Sequence, residues 1–134
     1  MHDAAITDLH GLVWWGLGMP HRFGAAGGGY FRRADAGRGA IHVPSFVLDN
    51  LATAEEQGLI CLKDPLSEFI DRLFSTGSYF PAPLTPEIIA RAGTYPPTAH
   101  RADRLLAATA AELQRPLISV RREIGRWSGV QLLW

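Results

Sequence analysis

The chain has 134 residues and is 47% hydrophobic, which suits one domain with one sizeable core and excludes a disordered chain. Its formal net charge is zero, which argues against a general polyanion binder while leaving room for a local basic patch. The lone Cys61 excludes an intrachain disulfide; with no apolar run long enough for a membrane span and no signal-peptide pattern at the N-terminus, a cytoplasmic, non-membrane protein is expected.

Ala4-Ala5-Ile6-Thr7 is short and apolar, as a buried parallel strand is. Asp8 follows at the position of a helix N-cap, and Leu9 to Leu17 reads as a short helix closed by Gly16, Gly18 and Pro20. Trp14 and Trp15 are adjacent, so they point about 100° apart. One is expected in the core and the other against a partner subunit.

Gly24 to Gly29 holds four glycines. It lacks the Lys-Ser/Thr of a phosphate-binding loop and does not directly follow a strand. A loop or weak helix is expected there, since glycine costs a helix up to about 1 kcal/mol relative to alanine. Tyr30 to Ala36 continues as helix until Gly37 and Gly39.

Ala40 to Val43 is the second strand, closed by Pro44, and Ser45 is expected to cap the helix running to Gln57. Asp64 is expected to cap the next helix, with Pro65 at its first position. Leu66, Phe69, Ile70, Leu73 and Phe74 fall at i, i+3, i+4, i+7 and i+8, a clear amphipathic helix. Tyr79 to Ala82 is a third strand that tolerates Pro81 at a sheet edge. Thr85-Pro86 opens another helix, ended by Gly93. Ala102 to Leu113 is a long helix with a small or apolar face and Asp103 near its start. Leu117 to Ser119 is the fourth strand, Arg121 to Trp127 a short helix or turn, and Val130 to Leu133 the last strand.

Strands alternating with helices, without hairpin signals, specify an α/β domain with a parallel sheet and right-handed crossovers. In such sheets ligands bind beyond the carboxyl ends of the strands. Asp8 at a strand end and Asp103 at a helix start are therefore expected to face one cleft. Helix capping alone is the competing account of each acid. Arg32, Arg33, Arg101, Arg104, Arg121, Arg122 and Arg126 form either a basic rim for RNA phosphates or ordinary solvated faces. His10 and His42 read as scaffold. His100, beside the cleft, is the histidine of interest.

Five segments in order resemble the VapC-like toxin branch of the PIN-domain proteins: Asp8-Leu9-His10 with Leu12-Val13-Trp14-Trp15, Val43-Pro44-Ser45 with Val47-Leu48, Asp64-Pro65-Leu66 with Glu68-Phe69, Asp103-Arg104-Leu105-Leu106 with Ala108 and Ala110, and Leu117-Ile118-Ser119 with Arg122-Glu123-Ile124. The resemblance spans nearly the whole chain. It implies a single PIN-like domain over residues 1–134 with strand order 3-2-1-4-5. It further implies a metal-dependent endoribonuclease of a toxin–antitoxin system, a cognate antitoxin, an RNA substrate and a homodimer through helices, for which Trp14, Trp15, Phe69 and Phe74 supply apolar surface.

The resemblance implies a carboxylate cluster holding Mg²⁺ or Mn²⁺. Asp8 and Asp103 match two of its acids and are the expected metal ligands. Asn50 stands where the family carries a helix-borne Glu, with Asp49 beside it, and it completes the expected catalytic set of Asp8, Asn50 and Asp103. Arg121 stands where the family carries Asp, and His100 where it often carries another. Two unit charges about 5 Å apart at an effective dielectric near 20 interact by roughly 3 kcal/mol. A cation at Arg121 therefore predicts weak metal binding, partly relieved if Glu123 substitutes, and it predicts that Arg121 reaches toward Asp8 or Asp103. Three functions follow: a ribonuclease toxin of weak activity, a degenerate PIN-fold module that binds a protein or RNA, or an unrelated α/β domain, which the five ordered segments disfavour.

Overall fold

A computed structural model describes residues 4–134. The first three residues, and the part of the expected domain and of the N-terminal pattern that falls on them, lie outside the described residues. Five parallel strands form one sheet: β1 (Ala4–Thr7), β2 (Ala40–Pro44), β3 (Tyr79–Ala82), β4 (Leu117–Ile118) and β5 (Leu132–Leu133), in the order β3-β2-β1-β4-β5. This is the expected order, with the Asp8 strand in the middle. β1 is buried along its whole length, as a strand covered on both faces must be. Ile6, Ile41, Val43, Leu117 and Ile118 are fully buried beside it.

Among the described residues, seven α-helices connect the strands: α1 (Leu9–Gly16), α2 (Ala25–Asp35), α3 (Ser45–Glu56), α4 (Leu66–Ser75), α5 (Pro86–Ala92), α6 (Arg101–Leu113) and α7 (Glu123–Ser128). None is long and apolar enough to cross a membrane.

The glycine run takes the helical one of its two expected forms. Residues 25–35 form one continuous helix, glycines included. A Cβ on Gly27 would stand 2.8 Å from the Trp134 carbonyl oxygen and 3.1 Å from its Cα, and one on Gly24 would stand 2.7 Å from the Trp134 carbonyl carbon. The Gly27 N–H donates to that carbonyl oxygen. The missing side chains let the segment after β5 lie directly on α2. This tertiary contact offsets the helix penalty of the glycines.

Two expected caps differ. Pro44 and Pro65 occupy the cap positions of α3 and α4, with no side-chain cap bond at either. Ser45 is already helical, and Asp64 is drawn into an ion pair with Arg72 at 2.6 Å. Thr85 does cap α5, accepting from the Ile88 N–H at 3.2 Å.

Of the two tryptophans, Trp15 is the one packed against the core. Both are half-buried. Trp15 stacks on Phe31 at 5.1 Å, and its Nε1–H donates to Asp35 at 2.7 Å. The Tyr79 hydroxyl donates to the other Asp35 oxygen at 2.9 Å, so one carboxylate ties α1 and β3 to α2. Trp14 meets Trp134 edge-on instead. α4 keeps its amphipathic pattern, but none of its residues is fully buried.

Candidate functional site

Asp8 is the first residue beyond β1, and Ser119 the first beyond β4. Thr7 pairs with Ile118 in register, so these two residues are neighbours at the carboxyl edge of the sheet. Asp8 caps α1: its Oδ1 accepts from the Gly11 N–H at 2.7 Å. The Ser119 hydroxyl sits beside the same carboxylate and favours its ionised form, and it accepts from the Arg121 backbone N–H at 3.1 Å. Asp8 is only 5% exposed and is held from two sides. No Cβ fits easily at Gly11, where it would lie 2.8 Å from Thr7 Oγ1, so α1 starts tight against the strand end.

Asp103 enters from α6. Residues 103, 106, 107 and 110 are buried and share one helix face by their i, i+3, i+4, i+7 spacing. Asp103 is the single charge on that apolar stripe. It is not the cap of α6, whose cap position is His100, and no side-chain cap bond is made there. Capping therefore accounts for half of the role of Asp8 and none of the role of Asp103.

Burial pushes both carboxyls above the ordinary carboxylate value. At Asp8 the Gly11 N–H, the His10 charge and the Ser119 hydroxyl oppose that rise, and the Asp103 charge adds to it. At Asp103 the Arg121 and His100 charges oppose the rise, Glu123 adds to it and His10 opposes it. The two acids thus share one electrostatic environment, which also includes His10, His100, Arg121 and Glu123.

Arg121 points into the cleft as expected. Its Nη1 lies 3.5 Å from Asp103 Oδ2 and 3.9 Å from Glu123 Oε1. The guanidinium is 42% exposed, so the pair contributes at most about 1 kcal/mol. It is readily displaced by a better cation or by a phosphate. Asn50 is half-buried on α3 and makes no side-chain hydrogen bond to the cluster. Asp49 beside it is exposed. Ser119 is the functional side chain that sequence reasoning missed; a small hydroxyl residue directly after an apolar strand was the available signal.

Among the described residues, no group of three or more His, Cys, Asp or Glu is arranged to hold a metal ion. Mg²⁺ is nonetheless often bound by one or two carboxylates, with water and substrate phosphates completing its shell. Asp8 and Asp103 meet that minimum, and Arg121 subtracts from it. The donor set fits a weakly held divalent ion.

No family model matches the chain, and no curated protein matches it. Its fold does match a chain in the crystal structure of VapBC2 from Rickettsia felis bound to a DNA fragment from their promoter, with a TM-score of 0.67 and 14% identity over 96% of each chain. The strand order, the flanking helices and this end-to-end likeness give the protein a PIN-like α/β fold.

Proposed function

We propose that the chain is the VapC-like component of a toxin–antitoxin pair: a Mg²⁺- or Mn²⁺-dependent endoribonuclease of low activity, cytoplasmic and homodimeric, with a cognate antitoxin as protein partner. The observation that carries this reading is the Asp8–Asp103 pair, two buried carboxylates at the carboxyl edge of a parallel sheet. Neither acid is needed there by the core, and burial disfavours the charge of both.

Asp8 and Asp103 would hold the ion, which when bound would supply an activated water and offset charge on the phosphodiester. Gly11 and Ser119 fix one orientation of Asp8. Asp103 presents its carboxylate from the first turn of α6. Arg121 separates from Asp103 as RNA binds and takes a phosphate oxygen in its fork. Activity is low because Asn50 supplies no charge, and because Arg121 competes with the ion for Asp103.

The test is Mn²⁺ titration by calorimetry on wild type and Asp8→Asn, beside cleavage of single-stranded RNA. Weak binding and slow cleavage, both lost in Asp8→Asn, are expected. Binding that survives Asp8→Asn places the ion elsewhere and overturns the assignment. A second reading, a PIN-fold module that binds without cutting, is favoured by the Arg121–Asp103 approach at 3.5 Å. It requires that no cleavage occur even at saturating Mn²⁺.

A further inference from the structure

His10 and Trp14 lie one turn apart on α1, with ring centroids 5.4 Å apart. Trp14 meets Trp134 edge-on at 5.6 Å, and the Arg22 guanidinium lies 5.0 Å from the Trp14 ring centroid. His10, at the near end of this row, lies in the first turn of α1, two residues after its cap Asp8. Trp134, at the far end, lines a hollow of about 320 Å³ beyond β4 and β5. Ser119, beside Asp8, and Arg122 also line it. The acids are thus linked to the same aromatic cluster twice, along α1 and through this hollow.

The cations on this path are uncommitted. Arg22 and Arg122 are exposed, and neither is in an ion pair among the described residues. Arg72 and Arg91 are paired with Asp64 and Glu112, while Arg32, Arg38, Arg101 and Arg126 are exposed and, like Arg22 and Arg122, make no ion pair among the described residues. Exposed or half-buried rings interleaved with guanidinium groups outside any ion pair match the chemistry of an unstacked nucleic-acid strand. Bases stack on aromatic faces and on guanidinium planes, while arginines take the phosphates. A duplex keeps its bases inside, and an acidic polypeptide has no need of the rings.

We propose that His10, Trp14, Arg22, Arg122 and Trp134 form a binding strip for single-stranded RNA flanking the acidic cleft, with bases on the rings and phosphates on the two arginines. The strip deepens the ribonuclease assignment and rests on it.

The test is equilibrium binding of a short single-stranded RNA, followed by fluorescence anisotropy in EDTA so that nothing is cut, over a range of salt. The double variant Arg22→Gln, Arg122→Gln is expected to bind at least about tenfold more weakly at low salt, with a salt slope smaller by about 0.7 for each phosphate no longer neutralised. Trp14→Leu is expected to lose about tenfold and Trp14→Phe, which keeps a ring, to bind like wild type. Arg72→Gln, on the remote pair, leaves binding unchanged. Trp14→Leu also removes packing against Trp134; the double arginine variant alters only exposed groups and stays decisive.

The strip is wrong if wild type binds RNA and the arginine variant binds it equally well, or if duplex RNA binds as tightly as the single strand. It is also wrong if binding of polyglutamate, and not of RNA, is abolished with Arg22 and Arg122. A wild type that binds no RNA at low salt removes the ribonuclease assignment together with the strip.

Discussion

Ser119 and Asp8 stand side by side because β1 and β4 run parallel with Thr7 opposite Ile118, which places the Ser119 hydroxyl as the donor that favours the ionised Asp8 carboxyl. Ser119→Ala removes that donor from a buried acid and an acceptor from the Arg121 N–H. The expected cost is about 1–3 kcal/mol in chemical denaturation. The Asp8 carboxyl moves further up, because hydrogen bonds to the ionised form hold it down. Unchanged stability and an unchanged Asp8 titration by NMR exclude the bond.

Both acids titrate above the ordinary carboxylate value because they are buried. Between the unfolded value and the raised folded value, the native state binds more protons than the unfolded chain. Stability contributed by these two groups therefore falls as pH rises through that window and returns as pH falls. Urea midpoints measured from about pH 4 to pH 7 are expected to show this trend more strongly in wild type than in Asp8→Asn, Asp103→Asn. At pH 7, Asp8→Asn alone is expected to match wild type or exceed it by up to about 1 kcal/mol. An asparagine still caps α1 through Gly11, and no charge is left to bury. A variant that is dead as a nuclease but no less stable separates the functional role of Asp8 from its capping role.

Gly27 carries a third prediction. Its missing Cβ makes room for the Trp134 carbonyl oxygen, 2.8 Å from where that atom would stand. Gly27→Ala gains helix propensity, about 1 kcal/mol, but it must push backbone rather than a flexible side chain. A net loss of about 1–2 kcal/mol is expected by thermal or urea denaturation. A stabilised Gly27→Ala would mean that the segment after β5 does not seat on α2.

These cases mark what the sequence carried. β1, the parallel α/β sheet and the placement of Asp8 and Asp103 at one end of it were legible because each rests on local pattern: an apolar run, alternating elements, and one acid on an otherwise apolar helix stripe; the strand order came from the family resemblance alone. The reach of Arg121 toward Asp103 was legible from its charge once the resemblance had set it at a position where the family carries Asp. Ser119 as a partner of Asp8 was not, because it depends on the register between strands over a hundred residues apart in the chain. Residues 25–29 were legible only as loop or weak helix, for the same reason. Propensity speaks against helix, and the packing that overrides propensity comes from Trp134. The Asp64 cap failed because Arg72, two turns away, offers a charged partner at 2.6 Å.

The last prediction concerns restoration of the acidic site. Asn50→Glu adds a carboxylate on α3, and Arg121→Asp replaces the cation 3.5 Å from Asp103 with an anion. Without metal, the double variant concentrates negative charge in a buried cleft and is expected to be less stable than wild type. With Mn²⁺, the same charges become ligands. Affinity is expected to rise at least tenfold, about 1.4 kcal/mol, and RNA cleavage to rise with it. The two singles separate the causes. Arg121→Asp removes a competing cation whether or not Asn50 changes, so it is expected to carry the larger share; Asn50→Glu alone leaves the guanidinium in place. If Mn²⁺ affinity in calorimetry stays flat across all three variants, α3 does not face the cleft and the two-carboxylate site is not a reduced form of a larger one. If wild type already binds Mn²⁺ tightly and cuts RNA quickly, Arg121 is no obstacle, and its ion pair with Asp103 opens at no cost to catalysis.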